Sequence, residues 1–479
     1  MCEIIDLIMD IKKQIQKLAQ AHWLFAIIAT IFGMMFVVAT PPLWGLDETS
    51  HFARAYQLAG GDVIPDRAQD NYGGVIPANL LTLINYTKDD LLNNSGGLFG
   101  RKDVDSSAVY KKLTDTKFSS EKAQYIWSAG YSPVAYLGPI AGVIVSNILD
   151  LTIEHTLILA RLSGLLVYIL LGTGALYLLR HSKLKWLFFV VALFPAVIFQ
   201  ASVVTADNVA IGLSLLFTAL LFRAFGNNKV KPISKKILYY LFVVAMLMPL
   251  VKINYIFLSF GVLLLSNMAF GSKMNALLFK IGAIIASTML TVFWSILAKV
   301  TGNSPISQRP DGLQVSPSDQ VLAIISDPLI LVEAFLKSVM ISFDEYVRSA
   351  TVIMGWNWVA PPAIIVTLLI LGLLLAVLYS KEDILKIRKN LIYLNILSVA
   401  GILSIFFALY LAFNPVGNEI IDGIQGRYFL PFLIPIIMLI GLTIPIRVEI
   451  KAKLLPYIFT TIAAVCLLVS ITYYVLVTY

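Results

Sequence analysis

Residues 360–380 read APPAIIVTLLILGLLLAVLYS. The run contains no charged residue, and about 20 apolar residues are enough to cross the hydrocarbon core of a bilayer as a helix. Comparable apolar segments recur at 22–40, 132–149, 156–179, 186–203, 207–224, 237–251, 253–270, 276–299, 391–413, 427–446 and 454–475. Of 479 residues, 58% are hydrophobic and 13% charged, and the mean hydropathy is +0.83. A soluble globular chain carries about 25% charged residues. The composition therefore excludes a cytosolic enzyme, a disordered chain and a disulfide scaffold, and predicts an all-α integral membrane protein. The net charge of +8 fits basic loops on one membrane face and gives no reason for a nucleic-acid partner. Cys2 and Cys466 stand at opposite ends, so neither a disulfide framework nor a cysteine-based metal site is supported.

Two regions are distinguished. In residues 1–21, Ile4, Leu7, Ile8, Ile11, Ile15 and Leu18 recur at helical spacing, with Glu3, Asp6, Asp10, Lys13 and Lys17 between them. This pattern predicts an amphipathic helix on the membrane surface, with an ordinary solvated helix as the alternative. Residues 22–479 form the polytopic domain, with two long polar connections, 41–131 and 300–358. Lys and Arg concentrate at 180–185, 223–236, 381–389 and 447–453. By the positive-inside rule these loops and the N-terminus are cytoplasmic, and both long connections lie outside, packed together. The segment 131–180 must then cross once, although it holds two apolar runs. Pro133, Gly138, Pro139 and Gly142 weaken the first as a plain helix, so 132–149 is expected to dip in and return. The alternative is a 180–185 loop that breaks the charge rule. The expected count is eleven crossings plus one re-entrant segment, within a range of 11–13 membrane helices.

Several polar residues have no simple membrane role. In Pro41-Pro42-Leu43-Trp44-Gly45-Leu46-Asp47-Glu48, the prolines stop the first span, and an adjacent carboxylate pair follows. Such a pair suits a general base or a divalent cation, Mg or Mn; the competing reading is a helix cap. Asp47, His51 and Arg54 would share one helix face. Asp207 lies between two apolar stretches, where a carboxylate is expensive; it is either functional, including as a metal ligand beside Asp47 and Glu48, or a cap. Lys252 interrupts the apolar run 237–270 on the outer side, either snorkelling to headgroups or holding a phosphate. Arg427 closes the outer turn 422–427, and Arg suits bidentate phosphate recognition. Two carboxylate positions and two cations thus fall at headgroup depth on one side.

These motifs also carry a resemblance. Pro41-Pro42, Asp47-Glu48 and His51-Phe52-Ala53-Arg54-Ala55-Tyr56-Gln57 resemble the opening signature of a bacterial domain-of-unknown-function family of multi-spanning proteins, itself similar to GT-C glycosyltransferases. Pro195 through Asp207, Lys252-Ile253-Asn254-Tyr255, Gly355-Trp356 and Gln425-Gly426-Arg427-Tyr428-Phe429 resemble its later motifs in the same order. The resemblance implies a GT-C-like fold in a bacterial cell membrane. It also implies transfer of a sugar from a polyprenyl-phosphate carrier to a glycan or lipid acceptor of the cell envelope, at an extracytoplasmic site. The first acidic position of that fold falls on Asp47 or Glu48 and a second on Asp207. Lys252 and Arg427 would offset the phosphate charge, His51 and Arg54 would support the acidic group, and Trp356, Trp358, Gln425 and Tyr428 would line a groove. A flippase of lipid-linked glycans and a non-catalytic assembly scaffold are the other readings.

Overall fold

Inside a bilayer every backbone N–H and C=O must find its partner within the chain, so long apolar runs fold as helices. The computed structural model describes residues 19–68, 71–93, 108–126, 130–227, 232–300, 314–355 and 359–479. The surface helix expected over 1–21 lies almost wholly outside the described residues, as do Trp356 and Trp358. Among the described residues, eight helices are long and apolar enough to cross a membrane: Ala21–Ala39, Ile153–Leu178, Asp207–Gly226, Lys273–Ala298, Ala363–Lys386, Arg388–Phe413, Gly426–Thr443 and Leu455–Thr478. Asp207–Gly226 is the central one, with 83% of its apolar window buried, whereas Lys273–Ala298, at 22%, lies on the periphery.

Three further apolar runs are irregular. The run 186–203 is split ahead of Pro195 into Lys185–Ala192 and Pro195–Ala201, both buried. Lys235–Val251 is 17 residues long and carries Pro249 near its end. The stretch from Ile253 to Phe270 is a series of short turns, and it returns beside the start of the preceding helix, where Ile233 N donates to Ala269 O at 2.8 Å.

The 132–149 run forms a one-turn 3-10 helix, Pro133–Tyr136, and then the helix Leu137–Ile148. The latter lies antiparallel against the first half of Ile153–Leu178. A Cβ on Gly138 would come within 2.6 Å of Ser163 O, so its glycine permits backbone contact there. Ser146 and Thr156 hydroxyls are hydrogen-bonded near the other end, 2.5 Å apart. The segment is thus a 12-residue helix beside one part of a 26-residue helix, and its prolines and glycines serve close packing.

The polar connections hold a departure from an all-α chain. Asp66–Ala68, Asn71–Pro77 and Lys122–Ile126 form a small antiparallel sheet, with the middle strand pairing both others. The short alternation around Val75 and Ile76 carried too little pattern to announce it. In the second connection, Pro317–Ser326 and Leu329–Thr351 are helices. Among the described elements, their main contacts are with Arg388–Phe413, Pro195–Ala201 and the Gly426–Phe429 turn. At the other end of the bundle three basic loops interlock. Ser182 Oγ and Lys183 N both donate to Asp383, at 2.7 and 2.8 Å, and Arg447 pairs with Glu382 at 2.6 Å.

Candidate functional site

The loop Pro41–Asp47 joins the first long helix to Glu48–Ala59, and it is held by a buried ion pair. Glu48 Oε1 accepts from Arg161 Nε at 2.8 Å and from Val204 N at 2.9 Å; Oε2 accepts from Arg161 Nη2 at 2.5 Å and from Gly45 N at 2.9 Å. Arg161 also donates to the carbonyls of Val37, Thr40 and Pro41. Both side chains are excluded from solvent. This corrects the expectation that Glu48 shares the chemistry of Asp47, because its carboxylate is consumed in fixing the loop. Arg161 was overlooked in the sequence; its signal was a lone arginine in the apolar run 156–179, which must have a partner.

Fixing the loop sets its unusual backbone. Leu43 and Asp47 adopt left-handed conformations, φ 62° and 58°. Asp visits that region more readily than Leu does, and each such residue costs on the order of 1–3 kcal/mol. Asp47 occupies the N-cap position, but its side chain makes no cap hydrogen bond. Its Oδ2 instead lies 2.6 Å from Arg427 Nη2, and the side chain is 42% exposed. The capping alternative therefore fails for Asp47.

Arg427 continues the chain of charges. Its Nη1 is 2.9 Å from Asp207 Oδ2, and Asp207 Oδ1 is ion-paired with Lys252 Nζ. Lys252 ends the Lys235–Val251 helix in extended backbone, and its Nζ lies 4.4 Å from the centre of the Tyr428 ring. Lys252 thus turns inward, not out to lipid headgroups. Arg427 and Asp207 side chains are each 4% exposed and Lys252 16%. The order Asp47, Arg427, Asp207, Lys252 alternates in sign and sums to zero. All four residues singled out in the sequence meet, although they come from four distant segments.

Gly426 allows this arrangement, since a Cβ there would lie 1.9 Å from Tyr346 O of the Leu329–Thr351 helix. Gly426 N donates to Ser349 Oγ at 2.8 Å, which fixes the turn. Among the described residues, Arg427 Nε and Nη1 have no hydrogen-bond acceptor, and Gln425 Oε1 has no donor. Nη1 faces Asp207 as an ion pair only. Buried polar atoms without partners are rare enough to mark a place where a ligand or water completes the set.

His51 and Arg54 flank the quartet differently. His51 Nδ1 is 2.5 Å from the Tyr136 hydroxyl, and its ring centre is 5.2 Å from that of Tyr131. Burial pushes its pKa down to about 4, against the opposing pull of Asp47 and Asp207, so its imidazole is neutral at pH 7. Arg54 does not share the site with Asp47. It donates to the carbonyls of Asp62, Val63 and Tyr131 and thereby positions the 130–136 segment. Tyr131 and Tyr136 were also missed, since an aromatic near a membrane boundary reads as an anchor.

Lys252, the last member of the quartet, lines a groove of about 650 Å³ together with Tyr131, Tyr255, Trp294, Leu409 and Tyr428 among others. The lining is mainly apolar, with Lys252 as its cation. It runs between Lys235–Val251, Lys273–Val300 and Arg388–Phe413.

A divalent cation does not fit the ligands proposed for it. Glu48 is occupied by Arg161 and two amides, and Asp207 by two cations, which leaves Asp47 alone. Among the described residues, no group of three or more His, Cys, Asp or Glu side chains is placed to hold a metal ion.

No curated protein and no solved structure matches this chain. The family described as "Predicted membrane protein (DUF2142)" matches residues 30–437, a stretch that contains every member of the quartet, and the chain belongs to that family.

Proposed function

We propose that this protein is a glycosyltransferase of the bacterial cell membrane, with a GT-C-like fold, which moves a sugar from a polyprenyl-phosphate carrier to an envelope glycan or lipid. The observation that carries the reading is a chain of four paired charges that meets a mainly apolar groove through Lys252. An isoprenoid chain needs the groove; its phosphate needs the cations. In this reading the chain crosses eleven times, with Leu137–Ile148 re-entrant, the basic loops in the cytoplasm and the quartet outside.

The chemistry follows from the positions. Asp47 Oδ1 accepts no hydrogen bond among the described residues and is the exposed edge of the quartet. It takes the proton of an acceptor hydroxyl as that oxygen bonds to the anomeric carbon. The bond from the anomeric carbon to the phosphate oxygen breaks, and polyprenyl phosphate leaves with one more negative charge. Lys252 and Arg427 stabilise that developing charge, the kind of electrostatic preorganisation that dominates many enzymatic rates. Asp207 holds both cations in place, and no step is routed through a metal.

The test is release of polyprenyl phosphate by purified protein given a panel of polyprenyl-phosphate sugars. Asp47→Asn preserves size and an oxygen for Arg427 but cannot act as a carboxylate base. Since Asp47 makes no cap bond and is part-exposed, and Arg427 keeps Asp207 as its counter-charge, the variant should lose little in thermal midpoint and about 10²–10⁴ in turnover. Near-normal turnover by folded Asp47→Asn excludes it as the base. Movement of lipid-linked glycan across vesicles without cleavage, by the unmutated protein, overturns the transferase reading in favour of a flippase.

A further inference from the structure

A second cavity, of about 560 Å³, lies at the opposite end of the bundle from the quartet. The Ala21–Ala39 helix connects the two ends: His22 lines this cavity, and Thr40 and Pro41 begin the loop that carries Asp47. At 1.5 Å per residue those 19 residues span about 28 Å, a bilayer's hydrocarbon thickness.

The lining contains Arg180, Lys183 and Lys185, together with His22 and His181, and no acidic residue among the described residues. Lys183 is neutralised by Glu382 at 2.9 Å. Among the described residues, Arg180 and Lys185 have no carboxylate partner. Arg180 stacks 4.1 Å over the Tyr177 ring, and Lys185 Nζ donates to the backbone carbonyl of Arg180 at 2.9 Å. Glu382 and Asp383 are taken up by Lys183, Arg447, Ser182 and Lys386, so they do not serve this pair.

The depth of the cavity points to its occupant. Trp23, Tyr177 and Tyr457 adjoin the lining in sequence or contact and are all exposed, at 41%, 49% and 72%. Exposed Trp and Tyr mark the headgroup layer of a membrane protein. The inner wall is apolar, with Trp186, Leu455 and Pro456. A free anion uses only the cations; a lipid uses the cations and the apolar wall.

We infer that this cavity binds the phosphate headgroup of an anionic membrane lipid, held by Arg180 and Lys185, with the start of its acyl chains against the apolar wall of Trp186, Leu455 and Pro456. The site is independent of the proposed transfer reaction, since it shares no residue with the quartet.

Native mass spectrometry and thermal unfolding of the full chain in detergent, with phosphatidylglycerol added, test the inference. Each cation near a membrane surface contributes about 1 kcal/mol to binding an anionic lipid, so Arg180→Gln/Lys185→Gln should weaken binding about 30-fold. Arg388→Gln/Lys389→Gln removes equal charge from exposed positions on the same face and should change it little. The charge-preserving Arg180→Lys/Lys185→Arg should retain binding. If the neutral double variant does not fold, Lys185→Gln alone is expected to lose about fivefold. Equal losses in the pocket and control variants would reduce the effect to diffuse surface attraction. Equal binding of phosphatidylcholine, or displacement of phosphatidylglycerol by inorganic phosphate at equal concentration, would each overturn the inference, the latter in favour of a small-anion site.

Discussion

Replacing Glu48 by Gln separates two neighbouring carboxylates that the sequence could not tell apart. Each oxygen of Glu48 accepts one bond from Arg161 and one from a backbone amide, Val204 N on Oε1 and Gly45 N on Oε2. A glutamine in either orientation keeps one acceptor and turns an NH2 group towards two donors. Two of these four bonds are lost, and Arg161, buried at 1% exposure, is left without a counter-charge. Breaking a buried ion pair in this way costs about 3–5 kcal/mol. The loss falls on the loop that holds Asp47, so activity should drop together with stability. The assay is a denaturant or thermal titration in detergent, followed by tryptophan fluorescence, with turnover measured on the same preparation. Asp47→Asn, one residue away, should shift the transition little. A Glu48→Gln protein of unchanged stability and abolished turnover would refute the structural assignment and return Glu48 to the chemistry.

Lys252→Met should weaken the binding of a polyprenyl-phosphate donor by about tenfold or more, because a hydrogen bond to a charged group contributes about 1.5–3 kcal/mol; unchanged donor affinity in folded protein would remove the phosphate-binding role. His51 gives a pH dependence. Its folded pKa of about 4 lies below the ordinary value of 6.5, so between these the unfolded chain binds more protons than the folded one. Its contribution is present above pH 6.5 and is lost as the pH falls towards 4, by about 3 kcal/mol in all. His51→Gln should flatten that part of the stability profile, and an unaltered slope would show that another group titrates there.

The charged members of the site were legible in the sequence because charge at the edge of an apolar run is expensive and therefore conspicuous. Asp47, Asp207, Lys252 and Arg427 stood out for that reason, and their shared side followed from the basic loops. Their pairing was not legible. Lys252 and Arg427 read as free cations awaiting a phosphate, whereas each shares Asp207, since partners in space come from segments 45–380 residues apart. Arg161 had the same kind of signal as Lys252 but was absorbed into a span that remained apolar on average. The short sheet in the 41–131 connection left only a few alternating residues. The packing use of Gly138 was hidden because a glycine reads as helix weakness until its neighbour is known.

The quartet also bears on the scaffold reading. Taking the charges of Arg427, Asp207 and Lys252 out of water is costly, and a buried ion pair is often no more stabilising than apolar side chains of similar volume. A scaffold could close the junction of these segments with apolar side chains. Here the charges are retained where Lys252 meets a groove, with Arg427 Nε lacking an acceptor among the described residues and Nη1 held by Asp207. A neutral quartet with spare donors can accept a phosphate without carrying an uncompensated charge when empty. In the proposed reaction Asp207 would supply that compensation in the absence of donor, and the part-exposed carboxylate of Asp47 would exchange Arg427 for a substrate proton. An Asp47→Asn protein that keeps its fold and its donor affinity while losing turnover would join these two roles in one site; loss of donor affinity together with turnover would instead place Asp47 in donor binding.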